Sequence, residues 1–461
     1  MALPQELDSA LRQLFAPEDL LDNPSECWVY GYDNSRRHGI AERVVFARKH
    51  DQIKQLLQLC NTHHVPIIAR GRGTGTTGAT VPTNGGIVLS LERMNRIIDV
   101  DPANRLMTVE PGVTNQEVQD AAAAHGFFWP PDPTSAAFCT VGGNLAYNSA
   151  GPRAVKYGTC RENVLGLRMI TGSGADMRVG VRTTKGVVGY DLTRLVIGSE
   201  GTLAVITEAT LKLTPLPQAK RTLRATYRNI DGAAHAIARI MAQPVTPCAL
   251  EFMDQRAIDM IRQHSEADLP EHAAALLIIE VDGLAAQIDA AADCVADAAR
   301  NDALTELTTA RTPEEVKRLW DTRKALSPAL RNIAPKKINE DVVVPVSQLP
   351  TFINGLEALS RQYGITIVNF GHAGNGNIHV NLLIDPDNAD EAQRAARCLD
   401  DMFSLVLRLR GTLSGEHGVG LEKRDFVARE LDPAALLLMH QIKQLFDPNN
   451  ILNPGKTLPP A

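Results

Sequence analysis

Residues 70–78 read Arg-Gly-Arg-Gly-Thr-Gly-Thr-Thr-Gly, and Gly73, Gly75 and Gly78 within them match G-x-G-x-x-G letter for letter. The nicotinamide reading of that pattern requires a helix to open at the loop, with its N-terminus facing a pyrophosphate. Here Ala79-Thr80-Val81-Pro82-Thr83-Asn84-Gly85-Gly86 follows, and no helix continues past Pro82. The Rossmann reading therefore fails on context, and a P-loop fails because no Gly-Lys-Ser/Thr follows. What is left is a glycine-rich loop behind a buried-looking run, with hydroxyls and arginines as extra donors. Glycines permit positive φ and close backbone approach, so successive N–H groups can converge on an anion. The plain alternative is a flexible surface turn.

Later segments weigh against that alternative. Pro130-Pro131-Asp132-Pro133-Thr134-Ser135 is a rigid, donor-bearing turn, and Thr140-Val141-Gly142-Gly143-Asn144 carries a double glycine. Asn148-Ser149-Ala150-Gly151, Lys156-Tyr157-Gly158 and Ile197-Gly198-Ser199-Glu200-Gly201-Thr202 complete the series. Together they suggest a backbone-lined cleft for a long, polar, phosphorylated ligand. Between the turns, Val65–Ala69, Gly86–Ser90, Arg105–Val109, Leu195–Ile197 and Leu203–Thr207 read as short strands. Thr114 with Glu117 forms a capping box that opens a helix towards Gly126.

Organisation and composition narrow the classes. Leu213-Thr214-Pro215-Leu216-Pro217 is the best boundary, since two prolines in three residues stop regular structure. Beyond it, alanine-rich helical stretches (231–242, 284–299) alternate with strands such as 275–281, an α+β signal. The 461 residues carry 53 acidic and 47 basic side chains, a net charge of −6, which leaves no basic excess for nucleic acid. No apolar run approaches the ~18 residues that span a bilayer. Seven cysteines lack Cys-x-x-Cys spacing, so neither a zinc finger nor a disulfide framework is indicated.

A second dense signal is Gly371-His372-Ala373-Gly374-Asn375-Gly376-Asn377-Ile378-His379-Val380-Asn381. Strands are expected at 365–368 and from about Ile378, with His379 and Asn381 on one face and His372 folding back beside them. Ser414-Gly415-Glu416-His417-Gly418-Val419-Gly420 places an acid and a histidine in a glycine-rich loop. Lone histidines are usually structural, but glycines in place of packing side chains suggest that something other than protein fills the space. Two imidazoles and a carboxylate suit a zinc-type or related divalent site with an open position. On the helical stretch 319–327, Arg323 and Ser327 share a face, and arginine suits bidentate carboxylate recognition.

The ordered glycine series, with Leu89–Arg96 and Val109–Val113, resembles the FAD-binding domain of the vanillyl-alcohol oxidase and p-cresol methylhydroxylase flavoproteins. The match is best in the branch of FAD-linked D-2-hydroxy-acid dehydrogenases (D-lactate, D-2-hydroxyglutarate and glycolate types) and runs from about Val45 to Lys456. The resemblance implies an α+β fold: a two-subdomain FAD-binding domain (1–217) and an α+β substrate or cap domain with an antiparallel sheet (218–425). A C-terminal helical segment (426–461) would return to the FAD domain. Arg70, Gly71, Gly73, Thr74, Gly75, Thr77 and Gly78 would hold the FAD pyrophosphate. Pro131, Asp132, Thr134, Ser135, Gly142, Gly143, Asn144, Asn148, Gly151, Tyr157 and Gly158 would line the isoalloxazine and ribityl portions. Glu200, Gly201 and Ile206 would flank the adenosine end, and Asn453 completes the cofactor set. Thr74 stands where some relatives attach flavin through histidine, so the FAD is expected to be non-covalent.

By the same resemblance, His372, His379 and Glu416 ligate a divalent metal, zinc first among the candidates, and His417 is the catalytic base. Arg323, Ser327, Asn381 and Lys337 would bind substrate. Ser327 replaces the threonine of hydroxyglutarate-specific relatives and the lysine match is out by a residue or more, so the particular acid stays open. The expected reaction is oxidation of a D-2-hydroxy acid to the 2-oxo acid with hydride passing to flavin N5. An oxidase of the same fold using dioxygen is the alternative, and a metal-dependent hydrolase holding a nucleotide is the rival from another class. Expected partners are the small acid, an electron acceptor (quinone, cytochrome or electron-transfer flavoprotein) and a second copy of the chain, with no nucleic acid. The expected location is cytoplasmic, with peripheral contact to the inner membrane left open.

Overall fold

The computed structural model describes residues 3–264, 269, 272–324, 326, 330 and 334–460. They form two compact units: residues 1–151, 158–216 and 416–461 make the first, and residues 152–157 with 217–415 the second. The seam after residue 415 lies ten residues before the boundary expected at 425, and residues 416–425 join the first unit.

The first unit holds two main sheets. One runs β1 (Leu20–Leu21), β2 (Arg43–Phe46), β4 (Ile87–Ser90), β3 (Ile67–Arg70), with β2, β4 and β3 parallel. Parallel strands are covered on both faces and so read as unbroken apolar runs, as Ile87-Val88-Leu89 does. The helix His50–His63 crosses from β2 to β3 and buries Ile53, Leu56, Leu57 and Cys60 in their common core. The C-terminal segment returns here: Ile67 N donates to Ile451 O (2.7 Å) and Asn453 N to Ile67 O (2.8 Å).

The second sheet is antiparallel, in the order β5 (Ile97–Asp101), β6 (Leu106–Val109), β10 (Ala204–Lys212), β8 (Val164–Thr171), β9 (Asp176–Gly180). Fully buried Trp129 anchors its core and donates Nε1 to Asn163 O (3.0 Å). β7 (Phe127–Phe128) and β11 (Thr214–Pro215) form a two-stranded pair. The capping box at Thr114 and Glu117 is formed, and the helix it opens is Asn115–Ala123. The strand expected at Leu195–Ile197 is instead the end of a helix, Leu192–Val196. Asp191 caps that helix by accepting from Arg194 N, and this local bond outweighs the β-branched residues.

The second unit is built on a seven-stranded antiparallel sheet in the order β15 (Leu304–Ala310), β12 (Ala219–Tyr227), β14 (Ala275–Gly283), β13 (Ala249–Asp254), β17 (Thr366–His372), β18 (Asn377–Ile384), β16 (Lys336–Val343). Met253, Leu276, Ile278, Val368, Phe370 and Leu383 form a core with Ile258 and Ile261 of the helix Gln255–His264. Leu319 and Trp320 of the helix Pro313–Lys324 pack against that core. The architecture is the expected mixed α+β one, with an antiparallel sheet in the second unit. Among the described residues no helix is long and apolar enough to cross a membrane.

Candidate active site

The first unit contains a cleft lined on one side by Ala69, Arg70 and Gly71 at the end of β3. Gly142, Gly143 and Ala146 of the helix Val141–Tyr147, with Glu200 and Gly201 ahead of β10 and Ile206 within it, form the other walls. The expected Arg70, Gly71, Gly142, Gly143, Glu200, Gly201 and Ile206 therefore share one cavity. A Cβ on Gly71 would overlap Thr140 Oγ1, so only glycine lets the two segments close this near.

The cavity wall carries polar atoms that the protein leaves unused. Arg70 is 7% exposed and gives Nη1 to Tyr32 O (2.7 Å), while its buried Nε has no partner. The hydroxyl of Tyr147, which lines the cavity, is buried beside that of Thr77, and among the described residues neither has a further protein partner. Orphaned buried donors are rare in native proteins. Donors next to a glycine-lined wall fit a polar, phosphate-bearing ligand, and FAD satisfies that test.

Other expected cofactor residues have protein partners. Thr74 O accepts from Asn34 Nδ2 (3.2 Å) and Gly75 O from Asn34 N (2.9 Å), so their backbone fixes the loop. Gly73 and Gly78 adopt positive φ in the same loop. Pro131 O accepts from Asn115 Nδ2 (3.0 Å), Asp132 N donates to Ala150 O beside Gly151, and Ser135 O caps the turn that begins at Pro133 and Thr134. Asn144 pairs with Asn115 and Cys139, and Asn148 accepts from Thr159 Oγ1 and Arg161 N. Asn453 spends its amide on Ala79 O and Glu200 O. All three asparagines hydrogen-bond protein groups around the cavity. Tyr157 falls in the second unit, where its hydroxyl donates to Asp282 Oδ2 (2.8 Å); Gly158, the next residue, is back in the first unit.

Glu200 has a second role. It sits at φ +53° and its buried carboxylate accepts from Val419 N (2.5 Å), Gly420 N (2.7 Å) and Thr457 Oγ1 (2.8 Å). Burial pushes its pKa up, and the three donors partly oppose that. Those bonds hold the loop that carries His417. Gly418 in that loop has φ +85°, and a side chain there would strike Glu200.

In the second unit the sheet register assembles the histidines. Glu251 lies opposite His372, and Phe370 opposite His379, so all four side chains share a face. The two imidazoles meet edge-on, 5.2 Å between centroids. Fully buried Glu251 accepts from His372 Nδ1 (2.5 Å) through Oε1 and from Arg323 Nε (2.7 Å) through Oε2. Burial alone would raise the Glu251 carboxyl, but its pairing with His372 and with the Arg323 guanidinium outweighs it and holds the group down at about 2. Arg323 also lies over Phe370 (4.7 Å).

Asp341, opposite His379 on β16 and 0% exposed, accepts from Ser414 Oγ (3.2 Å) and Gly415 N (3.0 Å). Gly415 is the last residue of this unit, so Asp341 fixes where Glu416 leaves it. One ligand atom each from His372, His379 and Glu416 lies within 4.8 Å of the others. Glu251 fixes the His372 ring through Nδ1, and an imidazole, imidazole, carboxylate donor set fits a divalent metal. Asn381 shares the face but is fully buried and donates to Val368 O (3.2 Å) and His379 O (3.1 Å). Lys337 lies opposite Leu383, four positions along β16 from Asp341, and Ser327 lies outside the described residues. Glu251, Asp341, Thr140 and Tyr147 were not anticipated. A single glutamate inside the apolar run Ala249-Leu250-Glu251-Phe252-Met253 was the available signal for the first.

Backbone and cleft together define an FAD-binding flavoprotein fold. Solved p-cresol methylhydroxylase with substrate bound superposes with a TM-score of 0.79 at 18% identity, covering 99% of this chain and 98% of that one. Residues 41–180 match the FAD binding domain model and residues 216–457 the model of the FAD linked oxidases, C-terminal domain. Glycolate oxidase subunit GlcD of Bacillus subtilis is 38% identical over 453 residues, 98% of this chain and 96% of its own length. D-lactate dehydrogenase of Archaeoglobus fulgidus is 36% identical over 426 residues, 90% and 91% of the two chains. The chain belongs to the FAD-linked oxidoreductases of the GlcD and D-lactate dehydrogenase type.

Proposed function

We propose that this oxidoreductase is a divalent-metal-dependent dehydrogenase that converts a D-2-hydroxy acid such as D-lactate or D-2-hydroxyglutarate to the 2-oxo acid. The observation that carries the reading is the clustering of the His372, His379 and Glu416 ligand atoms where Glu251 also holds Arg323. A carboxylate beside a hydroxyl needs a cationic fork and an acid-strengthening centre close together, and these residues supply both. Relatives named for glycolate and D-lactate, both 2-hydroxy acids, support the substrate class.

Arg70, Gly71, Gly142, Gly143 and Gly201, which line the cleft, would hold non-covalent FAD there. Zinc is the first candidate for the ion held by His372, His379 and Glu416. When bound, the flavin supplies the two-electron acceptor and the ion a Lewis acid that lowers the pKa of a neighbouring hydroxyl. Arg323 takes the substrate carboxylate through its two Nη groups, which have no hydrogen-bond partner among the described residues. His417 accepts the hydroxyl proton, and the Cα hydrogen departs with its electron pair as the carbonyl forms.

Anaerobic mixing with D- and L-2-hydroxy acids tests this reading: bleaching of the flavin band by one or more D-acids or glycolate is expected, and no bleaching by any of them overturns it. The name glycolate oxidase on several relatives favours a second reading, in which dioxygen is the acceptor in place of a quinone, cytochrome or electron-transfer flavoprotein. Stoichiometric peroxide during aerobic turnover would select it.

A further inference from the structure

Glu251 gives each carboxylate oxygen to a different functional group, Oε1 to His372 Nδ1 and Oε2 to Arg323 Nε. We propose that Glu251 is a positioning residue that couples the two binding events, so that metal at His372 and an anionic substrate at Arg323 each raise the affinity for the other. The proposal rests on the metal and substrate roles given above.

An imidazole held through Nδ1 cannot rotate freely, and it presents Nε2 in one direction only. Partners of this kind raise ligand basicity, and removing them typically costs about 10–100-fold in metal affinity. Arginine held through Nε with its plane against Phe370 has a fixed fork, so its two Nη groups meet a carboxylate without further ordering. The pair is not spread over two acids that could adjust separately. Movement of Glu251 that relaxes one bond strains the other, and its backbone is fixed by pairing with both β14 and β17. An ion that locks His372 therefore locks Arg323 through the shared carboxylate, and linkage makes the effect reciprocal.

The test compares the wild-type flavoprotein with Glu251→Gln, which keeps the side chain's size but has one acceptor oxygen instead of two. Zinc affinity is measured by chelator competition, and oxalate affinity by titration with and without zinc. Wild type should bind oxalate about 5–150-fold more tightly when zinc is present, the usual range of such coupling. In Glu251→Gln, zinc affinity should fall about 10–100-fold and the oxalate ratio approach one, with flavin absorbance retained. Arg323→Lys, which loses the Nε bond to Glu251, should likewise bring the oxalate ratio towards one, and an unchanged ratio there would count against the coupling. A wild-type oxalate ratio of one overturns the coupling without any variant needing to fold. Wild-type zinc affinity and ratio in Glu251→Gln also overturn it while leaving the proposed reaction standing. A wild-type protein that bleaches with substrate yet binds no zinc removes the metal reading itself.

Discussion

The cleft of the first unit and the histidine face of the second solve different problems. The cleft is made by backbone: Gly71, Gly142, Gly143 and Gly201 bring chain segments together, and the few polar side chains, such as Arg70, supply donors. The histidine face is made by side chains placed on a rigid sheet, with buried Glu251 and Asp341 orienting what stands in front of them. A long ligand can be gripped by many weak backbone contacts. Chemistry on one carbon needs a few groups held accurately, which the sheet provides for His372 and His379 and the bonds from Glu200 and Asp341 provide for the loop of Glu416 and His417.

The comparison makes graded predictions. The largest effect belongs to His417→Ala, which should slow flavin reduction roughly 10²–10⁴-fold in stopped-flow mixing while the FAD band is kept. Loss of the yellow colour instead would place His417 among the groups that hold the cofactor. Gly71→Val should do the reverse. Forcing a side chain against Thr140 costs about 1–3 kcal/mol, seen as FAD affinity about 5–150-fold weaker by fluorescence titration, while zinc binding is unchanged.

Arg323→Lys should raise KM for the hydroxy acid about 10-fold or more and change kcat less, since a point charge replaces a two-pronged fork. A kcat effect alone would move Arg323 out of carboxylate binding.

The smallest effect concerns pH. Lys456 is 4% exposed and donates to Val81 O (2.6 Å), bracing the segment behind the glycine loop. Burial lowers its pKa to about 8 from an unfolded 10.5, so the unfolded chain binds the extra proton between those values. Stability should therefore rise as pH increases from about 8 towards 10, and Lys456→Met should flatten that rise in thermal melts.

The two regions also differed in how much the sequence disclosed. Segments such as the loop 70–78 and the helical pair 142–143 announce themselves because glycine marks close backbone approach at the level of single residues. The hairpin of β17 and β18 was legible for a related reason, since apolar alternation flanks a glycine turn. Glu251 and Asp341 were not, because their role comes from cross-strand register between segments 121 and 74 residues apart in their hydrogen bonds. Leu192–Val196 misled through its β-branched neighbours, where the Asp191 cap decided the outcome. Asn144 in the helix Val141–Tyr147, Asn148 at its end and Asn453 hydrogen-bond protein groups, and in sequence such a brace looks like a donor to a ligand.

Metal removal and return on the purified flavoprotein bears most directly on the whole account. After exhaustive chelation, reduction of the bound flavin by a D-2-hydroxy acid that bleaches the untreated protein should stop, with the absorbance spectrum otherwise intact. Adding back one equivalent of zinc or another divalent ion should restore it. Bleaching that proceeds at an undiminished rate in protein shown to contain no metal would contradict the roles given to His372, His379 and Glu416.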